Sequence, residues 1–176
     1  MRLGKISSFA AAVVALLVSV FAAPRAAHAQ WHSWAQWQRY GATVNTALSQ
    51  NGFHTGMKAK KWVTLVIYSA SQTAMMLPET KPNMYEWYPD PYVYKFPASH
   101  APDQWQPGQI IQMRWHNKPH TAIFICLYQD PYQNGMYWID CNWGRPRNNG
   151  IVQYHFVSFA DFEANVGACY SVYEIH

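Results

Sequence analysis

The chain has few charged residues and few cysteines, and both shortages narrow the classes of protein to which it can belong. Only 12% of its 176 residues are charged, whereas 50% are hydrophobic and 16% are aromatic, which excludes a disordered polyelectrolyte. Neither a Cys-x-x-Cys nor a His-Glu-x-x-His spacing occurs, so no structural zinc site is predicted. A chain of this length predicts one domain with a sizeable core.

Residues 1–29 have the pattern of an export signal. Arg2 and Lys5 precede the apolar stretch Ile6–Ala23, and Ala27-His28-Ala29 offers a small-x-small cleavage site before Gln30. A transmembrane anchor is the alternative, because the apolar stretch is nearly long enough to span a bilayer. We expect cleavage, and therefore an exported, periplasmic or extracellular protein with no stable membrane span.

The net charge of +4 is concentrated in that segment. Residues 1–29 hold three of the 13 basic residues and none of the nine acidic ones, so residues 30–176 carry a net charge of about +1. Phosphate binding needs a concentrated basic surface, and the remaining domain therefore predicts no nucleic-acid partner. Its one local basic cluster is Lys58, Lys60 and Lys61.

The chain has three cysteines, which is an odd number: Cys126, Cys141 and Cys169. In an oxidising compartment one pair can form a disulfide, and one thiol is then left over.

Hydrophobic periodicity predicts two helices in the first half of the exported chain. The first is marked by apolar residues at three- and four-residue spacings, namely Trp31, Trp34, Trp37, Val44 and Leu48. Asn51-Gly52 ends it, and the same period predicts a second helix from about residue 58 to residue 76. Seven prolines between residues 78 and 107 predict an ordered, aromatic-rich loop without regular structure.

The last third of the chain is rich in β-branched and aromatic residues between Pro, Gly and Asn, which predicts an antiparallel sheet. The predicted strands are 110–116, 121–128, 136–142, 151–157 and 169–175, with a short helical turn at 159–165. Helices followed by such a sheet are typical of an α+β fold.

A candidate site lies on two of these strands. His120 opens one, and Asp140 and Asn142 close the next; because side chains alternate, Asp140 and Asn142 share a face and Cys141 points away. If the loop between the strands centres on Pro131, His120 lies opposite Asn142, with Asp140 as a diagonal neighbour about 7–8 Å away. A histidine held by a carboxylate and an amide is the base of a nucleophilic hydrolase site, and a simple surface pair is the alternative.

Three segments resemble, in order and spacing, the second half of a CHAP domain, the family of cysteine, histidine-dependent amidohydrolases and peptidases. They are Trp105–Ile111, Pro119–Ile123 and Trp138–Trp143, and the likeness extends to Tyr170–Tyr173. The resemblance implies that residues 30–176 form a single papain-like α+β domain, with N-terminal helices packed on an antiparallel sheet. It also implies a catalytic role for His120, Asp140 and Asn142, and neither a metal nor an organic cofactor.

The family's nucleophile is a cysteine at the start of the first core helix, and the matching position here is Ala59. An alanine methyl group cannot attack a carbonyl carbon, so we expect no covalent cysteine catalysis. The alanine at this position has two explanations, an engineered Cys→Ala change or a natural pseudoenzyme. A third is that the helix is mis-aligned with that of the family.

The resemblance implies a parent activity on an amide bond of peptidoglycan or of a peptide. Aromatic residues of the 85–105 loop and its surroundings would contact this substrate or simply pack in the core: Trp87, Tyr88, Tyr92, Trp105 and Trp143. A non-catalytic module that binds cell-wall fragments or a partner protein is the alternative function, and a secreted effector acting on another amide is a further one. No inhibitor or immunity protein is assigned from the sequence.

Overall fold

The computed structural model describes residues 40–71, 76–142 and 150–175. The predicted export signal, the Trp31–Trp37 part of the first predicted helix, and Trp143 lie outside the described residues. Among the helices of the described ranges, none is long and apolar enough to cross a membrane.

The described residues form one six-stranded antiparallel sheet with helices on both faces. In chain order the elements are α1 (Ala42–Ser49), α2 (Ala59–Ser71), β1 (Val93–Lys95), a 3-10 turn (Pro102–Gln104), β2 (Ile110–Trp115), β3 (Lys118–Gln129), β4 (Asn134–Cys141), β5 (Val152–Ser158), α3 (Phe159–Asn165) and β6 (Tyr170–Ile175). The strand order across the sheet is β1-β6-β2-β3-β4-β5. The predicted α+β class is therefore confirmed.

The prediction that residues 78–107 lack regular structure is wrong in two places. β1 pairs with the end of β6, with Tyr94 opposite Glu174, and a 3-10 turn begins at Pro102. Pro91 and Pro97 flank β1, and because proline cannot donate to a sheet, they confine this edge strand to three residues.

The two faces of the sheet carry separate cores, because successive side chains of a strand point to opposite sides. On the α2 face, Ile123 and Ile139 pack with Trp62 and Val63 of α2. On the α3 face, Phe124, Trp138 and Val157 of the sheet pack with Phe162 and Val166, two residues of the α3 segment and the turn after it.

The hairpin between β2 and β3 places His120 near the end of the sheet. Its two turn residues, His116 and Asn117, have φ angles of 46° and 59°, as a two-residue type I′ turn requires. The turn sets the register that puts Met113 opposite His120.

The segment before α2 runs along β5. The Gly52 N–H donates to the Val152 carbonyl at 2.8 Å, and the Val152 N–H donates to the Phe53 carbonyl at 2.9 Å. Farther on, both the N–H and the hydroxyl of Thr55 donate to the Gly150 carbonyl at 2.7 Å. Gly150 has a φ of +77°, and a Cβ there would lie 2.3 Å from the Met57 nitrogen. Only glycine allows this close approach, which fixes the segment before α2 against the start of β5.

Candidate functional site

The structure brings His120 and Asp140 together across β3 and β4. Ala122 lies opposite Asp140, which makes His120, two residues before Ala122, the diagonal neighbour of Asp140. The His120 Nε2 and Asp140 Oδ2 atoms are 3.2 Å apart. This is the cross-strand arrangement expected from the sequence.

A β-bulge in β3 is what permits this contact. Near the hairpin tip Cys126 pairs with Tyr137, whereas beyond the bulge Phe124 pairs with Trp138, so the register shifts by one residue between them. A one-residue shift moves a side chain to the other face relative to its partner strand. Without the bulge, His120 would share a face with Cys141 rather than with Asp140.

A second histidine on the same carboxylate was missed by the sequence analysis. His155 of β5 lies opposite Trp138, and its Nε2 atom is 3.6 Å from the Asp140 Oδ1 atom. The predicted strand 151–157 contains His155, and pairing that strand with β4 as well would have revealed the contact. The candidate site is therefore His120–Asp140–His155, on the α3 face.

Burial and charge hold this carboxylate in its ionised form. The Asp140 side chain has no exposed surface, whereas those of His120 and His155 are 11% and 15% exposed. Burial alone would raise the pKa of Asp140, but the charges and hydrogen-bonding groups of the two histidines outweigh it and lower that pKa below its usual value. The carboxylate is thus an anion that orients both imidazole rings.

The arrangement can hold and move protons. A carboxylate fixes the ring orientation and tautomer of a histidine, and a histidine so held can act as a general base or a general acid. Two histidines on one carboxylate can share these roles. Among the described residues, no cluster of three or more His, Cys, Asp and Glu side chains is arranged to hold a metal ion.

Asn142 lies beside this site but makes other contacts. It has a φ of 73°, its backbone N–H donates to the Ile151 carbonyl at 3.0 Å, and its Oδ1 accepts from the Gly150 N–H at 3.4 Å. These contacts tie the end of β4 to the start of β5. Within the described residues, its hydrogen bonds therefore support the turn geometry rather than the imidazole of His120.

Ala59 and His120 belong to opposite sides of the sheet. Ala59 is the first residue of α2 and is buried, and α2 packs on the face formed by Ile139 and Cys141. At the end of β4, the Cys141 thiol donates at 3.3 Å to the carbonyl of Met57, two residues before the start of α2. Burial raises the pKa of this thiol. The structure therefore does not unite Ala59 with the His120–Asp140–His155 cluster.

Two of the predicted substrate-binding aromatics are core residues. Trp87 and Trp105 are each 3% exposed; Trp87 stacks on Tyr173 at 4.3 Å, and Trp105 packs edge-on against Phe124. Trp87 and Trp105 therefore pack in the core, which was the alternative to substrate contact. Tyr88 and Tyr92 are exposed and are accessible to a ligand.

The buried Trp87 is held by hydrogen bonds that yield a test of its structural role. Its backbone N–H donates to the Tyr173 hydroxyl at 2.9 Å, and its indole N–H donates to the Gln112 Oε1 at 2.9 Å. Removing the hydroxyl in Tyr173→Phe leaves a buried N–H unpaired, so we expect a loss of about 1–2 kcal/mol in the free energy of unfolding. Urea denaturation measures it, and Tyr132→Phe, at a 94% exposed residue, is the matched control. Equal stability of both variants would contradict the assignment.

The disulfide that an oxidising compartment would allow is not formed here, since all three cysteines are free thiols. Cys126 pairs with Tyr137, four residues along β4 from Cys141, which corresponds to about 13 Å. Two Cα atoms must lie within about 7 Å to be bridged, so this pair cannot close within the sheet.

Comparisons with known proteins find no matching family model, no matching curated protein and no matching solved structure.

Proposed function

We propose that this protein is an exported, papain-like domain of the CHAP type that binds peptidoglycan or a related peptide and does not cleave it through a thiol. The observation that carries the proposal is the pair of His120 and Asp140, 3.2 Å apart, the two residues to which the resemblance assigns catalytic roles. The near-neutral charge of residues 30–176 fits a neutral sugar-and-peptide ligand better than a polyanion.

The residue at the start of α2 favours binding over hydrolysis. Ala59 supplies no nucleophile, and α2 packs on the sheet face opposite to the one that carries His120. Thiol catalysis needs the sulfur within hydrogen-bonding reach of the imidazole. A thiol at position 59 would therefore not be activated by His120, and the single substitution Ala59→Cys would not create an enzyme.

Exposed aromatic side chains provide a surface for the ligand. Tyr88 is 48% exposed and Tyr92 is 61% exposed, and both lie in the chain between α2 and β1. Tyrosine combines a large apolar ring with a polar hydroxyl, which suits contacts with sugars and peptides. We assign these two residues to ligand binding and the buried Trp87 to their support.

Binding is tested by co-sedimentation of residues 30–176 with purified peptidoglycan. We expect a saturable bound fraction and no release of amine or soluble fragments. The Tyr88→Ser/Tyr92→Ser double variant should lose about 10-fold in affinity, since two contact aromatics are removed, whereas Tyr132→Ser should bind like the unchanged protein. Absence of binding to every wall type would overturn the proposal.

The Ala59→Cys variant distinguishes two possible functions of the protein, a binding module and an inactivated hydrolase. We expect it to cleave no amide bond, because its thiol and His120 lie on different faces. Enzymes accelerate their reactions by about 10⁶-fold or more over the uncatalysed rate, so the two outcomes are far apart in an amine-release assay. Turnover by Ala59→Cys that disappears in Ala59→Cys/His120→Gln would show an inactivated hydrolase and contradict the binding-only proposal.

A further inference from the structure

A groove beside α2 is not used by the proposed function. It has a volume of about 600 Å³, and its walls include Lys58, Lys61, Leu65, Tyr68, Met76 and Leu77. This volume lies within the range of about 300–1,000 Å³ that is typical of small-molecule sites. The groove lies on the outer side of α2, away from the sheet.

One end of the groove is apolar and open to solvent. Leu65 is 38% exposed, Tyr68 is 47% exposed and Met76 is 82% exposed. Leu65 and Tyr68 are three residues apart on α2 and therefore lie on the same side of the helix. Large apolar side chains gathered in one exposed patch are typical of binding surfaces.

The other end of the groove is basic. Lys58 and Lys61 are also three residues apart, and neither makes an ion pair with another described residue. Lys60 is already engaged, because its ammonium group contacts the Pro78 carbonyl and lies 5.5 Å from the centre of the Trp87 ring. Among the described residues of the lining, Glu79 is the one acidic residue against three lysines, so this part of the groove has a net positive charge.

We propose that this groove binds a single-chain anionic amphiphile with a carboxylate head group, such as a fatty acid. The carboxylate lies between Lys58 and Lys61, and the chain lies along Leu65, Tyr68 and Met76. Lys61 and Tyr68 are two helical turns apart, about 11 Å, which suits an acyl chain of medium length. The inference is independent of peptidoglycan binding.

The size of the groove favours such a ligand over a protein partner. A stable protein partner contacts about 20–30 residues a side, whereas ten of the described residues line this groove. A long apolar chain with one charged end matches both the apolar wall and the lysines. An acidic peptide matches only the charge.

Titration calorimetry of residues 30–176 with dodecanoate, below its micelle concentration, tests the proposal. We expect saturable binding with a Kd of about 10–100 μM, as the size of the ligand allows. The Lys58→Gln/Lys61→Gln variant should weaken dodecanoate binding about 10-fold and leave binding of the uncharged dodecanamide unchanged. Leu65→Asn/Tyr68→Ser should weaken binding of both ligands. Lys118→Gln, at an exposed residue on β3, is the control and should change neither.

Three results would overturn the proposal: no saturable binding of dodecanoate, equal dodecanoate affinity in the double-lysine variant and its control, or binding of an acidic amphipathic peptide without dodecanoate binding. The variant residues are on the surface, and far-ultraviolet circular dichroism verifies their folding. Because Tyr88 and Tyr92 lie outside the groove lining, their substitution should not affect dodecanoate, so this test can fail while peptidoglycan binding stands.

Discussion

Replacing Asp140 with alanine should lower the free energy of unfolding by about 3 kcal/mol at neutral pH. Removing one member of a buried ion pair costs about 3–5 kcal/mol, because the remaining partner stays buried without compensation. Here the remaining partners are His120 and His155, whose side chains keep 11% and 15% exposure, so the lower end of that range is expected. Urea denaturation followed by tryptophan fluorescence measures the difference.

The pH dependence of unfolding distinguishes the charge of Asp140 from its packing. The native pKa of Asp140 is below its unfolded value, so its stabilising contribution is complete above the unfolded pKa of about 3.9 and is lost as the pH falls through the native pKa. Asp140→Asn keeps the size of the side chain and removes this acid-dependent contribution. We therefore expect the stability of Asp140→Asn to fall less steeply than that of the unchanged protein below about pH 4.

A control for this experiment is available on the chain. His54 is exposed and lies apart from the ion pairs of Asp140, so His54→Gln should leave the acid-dependent loss unchanged. His155→Gln removes one of the two partners and should move the midpoint of that loss to higher pH. An identical acid profile in Asp140→Asn and the unchanged protein would contradict the assigned role of the carboxylate.

Replacing Trp62 with alanine should lower the free energy of unfolding by about 3–5 kcal/mol, as is usual for a buried tryptophan. Trp62 is 0% exposed and packs in the core between α2 and the sheet. Its indole N–H also donates to the Gln50 Oε1 at 2.8 Å, which ties the start of α2 to the end of α1. The substitution removes both the packing and this hydrogen bond.

Two comparisons show whether the effect belongs to the core. Trp62→Phe keeps an aromatic ring and should lose markedly less stability than Trp62→Ala. Leu65→Ala changes a residue on the outer side of the same helix and should cost less than about 1 kcal/mol. Chemical denaturation gives all three values, and a loss in Trp62→Ala as small as that in Leu65→Ala would contradict the assigned packing.

The sheet could be predicted from the sequence because its strands are rich in β-branched and aromatic residues and are bounded by turn residues. The predicted strand 110–116 matches β2, and the helical turn predicted at 159–165 matches α3. β1 could not be predicted, because three residues between prolines carry no periodicity. Its pairing with β6 depends on a contact between residues about 80 positions apart, such as Tyr94 with Glu174.

The contact between His120 and Asp140 could be predicted only by assuming a loop centre, Pro131, that differs slightly from the observed one. A loop centred on Pro131 gives the observed pairing at this end of the hairpin, although the pair at its tip is Gln129 with Asn134, which centres the loop half a residue later. The bulge between Phe124 and Cys126 compensates for the difference. Local propensity does not reveal such a bulge, since it depends on the packing of both strands.

The position of α2 relative to His120 could not be predicted from the sequence either. The spacing of apolar residues shows that a helix packs against a sheet, but it does not state which face of the sheet the helix covers. That choice is made by distant residues, including Cys141 and Val152, which pack with α2. The resemblance assigns Ala59 to the position of the nucleophile and His120 to a catalytic role, which would require the two to lie close together. The packing of α2 places them on different faces.

The edges of the sheet have a consequence for the behaviour of the protein at high concentration. One edge strand, β1, is three residues long, and at the other edge the chain around Gly52 and Phe53 is bonded to Val152, the first residue of β5. The short β1 edge offers few free backbone groups to another molecule. At the β5 edge, detaching the Gly52–Phe53 segment would lengthen the row of free backbone groups on which an intermolecular β-sheet, the first step towards amyloid, could grow. Conditions that loosen this segment without unfolding the core should therefore hasten the onset of fibril formation.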